Sequence, residues 1–243
     1  AGWVASSAEG RCKRPDAAAL RLREVLRDQR WHVETHEEDV AGTMERLAEV
    51  ELQAGRREEA FEMHENAVRL RKVVMGVDQL DVANSVVGLG MTHEAAAQTL
   101  EALARFGEAL QIKRARLGWK NLEVAGLLNN IGVAHERLGQ LDKAQLRYEQ
   151  ALGIFRTKLG DKDPTVATIA NNLGNVYKSL GKTKHAIGAY SAARKIRMLH
   201  QEQHPLALAE TLNNLAGVLM MEGQHQEARE CCEQSLSLRK EAA

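Results

Sequence analysis

Four groups of residues have types and spacings that could do chemistry. His32 and His36 stand four apart, as do His200 and His204, which is how two metal ligands sit on one helix face. Neither pair has acidic or cysteine partners at a familiar metal spacing, so no metal site is expected. Cys231 and Cys232 are adjacent, and Cys12 is the third cysteine. With no C-x-x-C and no pairing pattern, a disulfide framework is not expected and a reducing, cytoplasmic setting fits. Carboxylate pairs such as Glu58-Glu59 read as solvated helix faces. No phosphate-binding glycine loop, G-x-S-x-G or Cys/His constellation stands out, so neither an enzyme nor a cofactor is expected.

The fourth group is asparagine: Asn129-Asn130, Asn171-Asn172 and Asn213-Asn214, each pair 42 residues after the last. Asn is a poor helix former because its amide competes with the backbone. The same amide offers donors and an acceptor, and so can satisfy both polar groups of an extended peptide backbone. One reading is therefore peptide capture, favoured at Asn130, Asn172 and Asn214. The other is bonding between adjacent repeats that holds their pitch, a role left open for one asparagine of each pair.

The elements that must position these residues follow from the same period. Val40, Val82, Val124, Val166 and Leu208 share a column, as do Leu47, Leu89, Ile131, Leu173 and Leu215. The next column holds only Ala or Gly: Ala48, Gly90, Gly132, Gly174 and Ala216. Ala60, Ala102, Ala144, Ala186 and Ala228 are identical, and His64, Phe106, Tyr148, Tyr190 and Cys232 follow four later. Each unit reads as two antiparallel helices, for example 123–138 and 141–158. Gly55, Gly139, Gly181 and Gly223 mark the turn within a unit, and Gly76, Gly118 and Gly160 stop the second helix. Ala97 replaces the turn glycine in the second unit, so a different turn is expected there. Asp39 and Asp81 are candidate N-caps. His64, His93 and His135 fall on ring-bearing columns and read as packed substitutes, and Cys232 as a small core residue. One such hairpin cannot bury its apolar face alone, but stacked copies can.

The expected organisation is an N-terminal segment over 1–36 and five repeats over about 37–77, 78–119, 120–161, 162–203 and 204–243. Residues 1–15 read as loosely structured, with Trp3 as an anchor. Pro15 and Asp16 suit the start of a capping helix or worn repeat, carrying Leu22, Val25, Leu26 and Trp31. Lys plus Arg and Asp plus Glu each number 33, so a dominant nucleic-acid or acidic-membrane surface is not expected. Neither a membrane-length apolar run nor a secretory signal occurs. The chain does not open on Met, which fits a processed or excised piece.

In the third repeat Leu128, Ile131, Gly132, His135, Ala144, Tyr148 and Ala151 carry a resemblance to the tetratricopeptide repeat. The 42-residue length, the L-N-N-L-[AG] first helix and the Asp163-Pro164 and His204-Pro205 loops resemble the kinesin light chain subtype. The first helices of repeats one and two depart from it, with Glu45-Arg46 and Val87-Gly88 in place of the asparagines. The resemblance implies an all-α, right-handed α-solenoid of helix-turn-helix repeats, binding protein or peptide partners in a concave groove. In that subtype the Asn pair helps to hold cargo peptides. The side of the first helices opposite the core columns would line the groove. It holds Asn129, Asn130, Glu136 and Arg137, then Thr168, Asn171, Asn172, Asn175, Lys178 and Ser179. In the last repeat it holds Glu210, Asn213, Asn214, Met220 and Met221. The expected function is a non-catalytic scaffold or adaptor. The alternatives are a structural spacer or self-assembly module, or a regulatory arm of a larger protein.

Overall fold

The computed structural model describes residues 19–25, 37–76 and 79–242. The expectations placed on Trp3, Cys12, Pro15, Asp16, Leu26, Trp31, His32 and His36 lie outside the described residues. Residues 19–25 are helical (α1). The chain divides into two compact units, residues 1–118 and 119–243.

The first unit also contains α2 (Glu37–Gln53), α3 (Arg57–Met75), α4 (Leu80–Ala95) and α5 (Thr99–Leu117). The second contains α6 (Leu122–Arg137), α7 (Leu141–Leu159), α8 (Pro164–Ser179), α9 (Thr183–Leu199), α10 (Pro205–Met221) and α11 (His225–Glu241). Consecutive helices pair as hairpins, and within each unit every hairpin packs on the next. The architecture is an all-α solenoid of helix-turn-helix repeats. In the first unit, Ala19 of α1 joins Val40, Ala41, Met44 and Leu47 of α2 and Ala67 of α3 in one cluster, with Leu22 against it. Arg23 Nη2 donates to Glu51 Oε1 at 2.9 Å. Glu51 is fully buried and also accepts from Arg56 Nε. Two guanidinium partners are what allow a carboxylate there.

Each hairpin is closed by its backbone. Gly139 N–H donates to Glu136 O, and Gln140 N–H to His135 O, both at 2.9 Å. This pair of bonds is the Schellman closure, and it needs a left-handed residue at the turn. Gly55, Gly139, Gly181 and Gly223 supply it with φ between 69° and 79°. Ala97, where a different turn was expected, adopts the same conformation at φ 60°, and the same two bonds form, from Ala97 N–H to Glu94 O and from Gln98 N–H to His93 O. The closing bonds outweigh a left-handed penalty of about 1 kcal/mol for a residue with a Cβ.

The two aspartate caps are corrected. α2 is already helical at Glu37, two residues before Asp39. Asp81 lies in the first turn of α4, whose N-cap is Gln79. Side-chain caps occur instead at Asn121, which accepts from Glu123 N–H, and at Asp163, which accepts from Thr165 N–H ahead of Pro164.

The Ala/Gly column has a steric reason. A Cβ on Gly90, Gly132 or Gly174 would lie 2.6–2.7 Å from a ring carbon of Phe106, Tyr148 or Tyr190. All three rings are fully buried, and burying each contributes roughly 2–3 kcal/mol. The His64 ring instead lies against α4, where a Cβ on Gly88 would be 2.8 Å from its Nε2. His64, His93 and His135 are buried. Burial lowers the His64 pKa from 6.5 to about 4, against a bond to the Ala60 backbone that raises it. Cys231, not Cys232, enters the core of the last hairpin. Cys232, on the aromatic column, is exposed on α11.

Candidate functional site

Within the second unit the first helices α6, α8 and α10 carry most of the residues singled out by sequence. Asn129, Asn130, Asn172, Asn175 and Asn214 are partly exposed, while Asn213, Arg137 and Lys178 are exposed. Asn172 Nδ2 donates to Asn129 Oδ1 at 3.4 Å, joining α8 to α6. Asn214 Nδ2 donates to Asn175 Oδ1 at 3.5 Å, joining α10 to α8. Asn129 Nδ2 reaches Asn130 Oδ1 at 3.5 Å. Asn175 Oδ1 also accepts from Tyr190 Oη at 2.7 Å. The Tyr190 hydroxyl is pushed well above its ordinary pKa by burial first, then by the Glu136 and Glu210 carboxylates.

Asn171 is corrected: it is only 2% exposed and does not reach an open face. Its Oδ1 accepts from Thr211 Oγ1 of α10 at 3.2 Å. Arg197 of α9 donates to Thr211 Oγ1 and to Ala207 O. The same brace recurs in the first unit exactly three periods earlier in register. There Arg71 donates to Glu45 Oε2 at 2.9 Å and to Asp81 O at 3.2 Å, and Ser85 Oγ donates to Glu45 Oε1. A cation, a hydroxyl and a side-chain acceptor thus tie one hairpin to the next.

Between α6 and α8 the brace is missing. The cation column holds Phe155, the hydroxyl column Ile169 and the acceptor column Asn129. A cavity of about 500 Å³ opens at this junction. Its apolar lining includes Phe155, Ile169, Pro164 and Ala207. Thr165 and Thr168 of α8 and Asn129 and Asn130 of α6 supply polar groups. Arg197, His200 and His204 complete it, and no carboxylate lines it. Arg197 is held below its ordinary pKa by burial, which the Glu210 charge opposes. His200 Nε2 lies 3.0 Å from Lys162 O. Gly126 of α6 also borders the cavity, and a Cβ placed on it would meet nothing within 4 Å. Among the described residues, no three His, Cys, Asp or Glu side chains come together to hold a metal. No described helix is long and apolar enough to cross a membrane.

Sequence reading reached the asparagine columns but missed the cavity. The signal was present as the change from Arg to Phe155 and from Ser or Thr to Ile169 in two columns, but those columns seemed unrelated until the fold joined them.

The stacked hairpins, the small-residue locks and the recurring turn define a helical-repeat protein of the solenoid class. Models of the tetratricopeptide repeat match residues 39–115, 123–198 and 208–243. The chain belongs to the tetratricopeptide repeat family. It is similar to the crystal structure of BtubC (BKLC) from P. vanneervenii, at 22% identity and a TM-score of 0.84, covering 95% of this chain and 92% of that one. A putative kinesin light chain with nearly identical TPR-like repeats from Podosopora anserina matches at 21% identity and a TM-score of 0.74, covering 86% and 98%. The Rap conjugation gene regulator of the plasmid pLS20, in complex with the Phr* peptide, matches at 20% identity and a TM-score of 0.63. That match covers 86% of this chain and 56% of the regulator. At these identities the likeness is one of fold. No curated protein matches the chain by sequence.

Proposed function

We propose that the chain is a non-catalytic interaction scaffold that holds an extended peptide segment of a partner protein along the first helices of its second unit. What carries the reading is the row of partly exposed asparagines, Asn130, Asn172 and Asn214. The bonds among the amides use only part of their capacity. Asn172 spends one N–H on Asn129, which leaves its carbonyl and a second N–H. Asn175 uses its carbonyl twice, which leaves both of its N–H donors. Donors and acceptors in alternation are what a peptide backbone needs, and each such bond contributes roughly 0.5–1.5 kcal/mol. The Rap regulator, a relative in fold, is seen with a peptide bound, which makes a peptide a reasonable ligand for this scaffold. Asn129, Asn213, Arg137 and Lys178 flank the row and are assigned secondary contacts.

The test is affinity capture of a partner, followed by peptide mapping and titration. Replacing Asn130, Asn172 and Asn214 together with Ala is expected to weaken binding at least tenfold while far-UV circular dichroism stays unchanged. Undiminished affinity in a helical triple variant would refute the proposal.

A further inference from the structure

The direction and side-chain pattern of the peptide can be taken further, on the reading just proposed. On α8, Thr165, Thr168, Asn172, Asn175 and Ser179 recur at three- and four-residue steps, which is one stripe of an α-helix. On α10, Ala207, Asn214 and Met221 are seven apart and form a parallel stripe. Thr165, Thr168 and Ala207 open into the 500 Å³ cavity. Met221, at the far end, is 59% exposed. Between the two ends the stripes offer amides and hydroxyls. Ala207 and Met221 make the two ends of the α10 stripe apolar, and the middle is suited to a backbone.

We infer that the peptide runs along α8 and α10, with one apolar side chain in the cavity that Asn130 borders, Asn172 and Asn214 beside its backbone, and a second apolar side chain against Met221. The spacing follows from geometry. Fourteen residues of helix at 1.5 Å each span about 21 Å, and an extended chain covers that in about six residues at 3.3 Å each. The fitting ligand is an extended segment with two apolar side chains about six residues apart. The charge of the cavity narrows the choice. Arg197 borders it and no carboxylate does, so a lysine or arginine beside the first anchor meets a cation and finds no partner among the lining residues. Met221 suits the second anchor because an unbranched thioether adapts to varied apolar shapes.

The probes are fluorescein-labelled, end-capped peptides with two leucines in a Gly/Ser background, separated by three to nine residues. They are titrated against the whole chain by fluorescence anisotropy. Affinity is expected to peak near a spacing of six, at least fivefold above a spacing of three. Lysines flanking the leucine that enters the cavity are expected to weaken binding at least fivefold. Gly126→Leu fills the cavity from a position with free space above its Cα and is expected to abolish the spacing preference, as is Met221→Ser. Affinity that follows leucine number but not spacing, or a preference that survives Gly126→Leu in a helical protein, overturns the inference. A flat peptide series beside a captured partner that still depends on Asn130, Asn172 and Asn214 overturns this inference alone. A partner indifferent to the asparagines overturns the proposed function as well.

Discussion

Gly174→Ala adds one methyl group to a helix and is expected to destabilise the second unit. A Cβ at this position would lie 2.6 Å from Tyr190 Cε1, 2.7 Å from Cδ1 and 2.9 Å from Cζ. Those atoms form the side of a rigid ring, not the end of a flexible chain. The ring is fully buried, and its hydroxyl is tied to Asn175 Oδ1 at 2.7 Å, so it cannot swing clear without breaking that bond. Overpacking of this kind costs about 1–3 kcal/mol, and loss of the hydroxyl bond adds about 1 kcal/mol. Replacing a mid-helix glycine with alanine returns about 1 kcal/mol of helix propensity. The net expectation is a loss of about 1–3 kcal/mol. Gly126→Ala makes the same propensity change where a Cβ meets nothing within 4 Å, and is expected to stabilise by about 0.5–1 kcal/mol. Urea titrations followed by far-UV circular dichroism read both. The pair separates sterics from propensity: a Gly174→Ala midpoint at or above wild type would refute the ring-lock argument.

Ala97→Gly is expected to raise the urea midpoint, by about 0.5–1 kcal/mol in stability, because Ala97 holds a φ of 60° that glycine adopts without strain; a lower midpoint would count against it. His64 is expected to make the fold acid-sensitive. Its folded pKa of about 4 lies below the ordinary 6.5, so its neutral form is favoured by folding. That contribution is complete above pH 6.5 and is lost as the pH falls toward 4, a change of roughly 2–3 kcal/mol by pH 4.5. His64→Phe, copying Phe106 on the same column, is expected to flatten the pH profile of the urea midpoint between 7 and 4.5, and an unchanged slope would rule the assignment out. Asn171→Ala is expected to cost about 1–2 kcal/mol because it strips Thr211 of a buried acceptor. Asn172→Ala is expected to stay within about 0.5 kcal/mol of wild type, and comparing the two melts checks that the members of one pair differ in role.

The columns were legible because a hairpin that must stack repeats its sterics. The glycine and ring lock of Gly174 and Tyr190 recurs at Gly132 and Gly90, and the turn of Gly181 recurs at Gly55, Gly139 and Gly223, each at steps of 42 residues or a multiple of it. What escaped were features that a period cannot encode. Cys232 sits on a core column yet is exposed, and its neighbour Cys231 is the one buried. Ala97 breaks the glycine rule without breaking the turn, because the closing bonds decide the conformation. Asp81 has the type of a cap but lies two residues past the N-cap, Gln79. At the asparagines, sequence gave the face but not the partition. Asn171 and Asn172 are neighbours in sequence, and only the position of Thr211 decides which one is buried. The cavity was out of reach because Phe155, Ile169 and Gly126 come from three helices.

The locks and the braces divide the chain in different ways. Gly132 meets Tyr148 and Gly174 meets Tyr190 inside single hairpins, whereas Asn171 meets Thr211, and Glu45 meets Ser85, across consecutive ones. A recombination joint between helices of one hairpin would pair a glycine with a foreign ring, or an alanine with a large one, and jam the core. A joint in the loop before Pro164 or Pro205 keeps every lock whole and alters the packing and the buried brace between hairpins, of which the brace is already absent at the α6–α8 junction. The loops between hairpins are therefore the better places for duplication and exchange of repeats, and at the α6–α8 junction the change from arginine to Phe155 in the cation column coincides with a cavity.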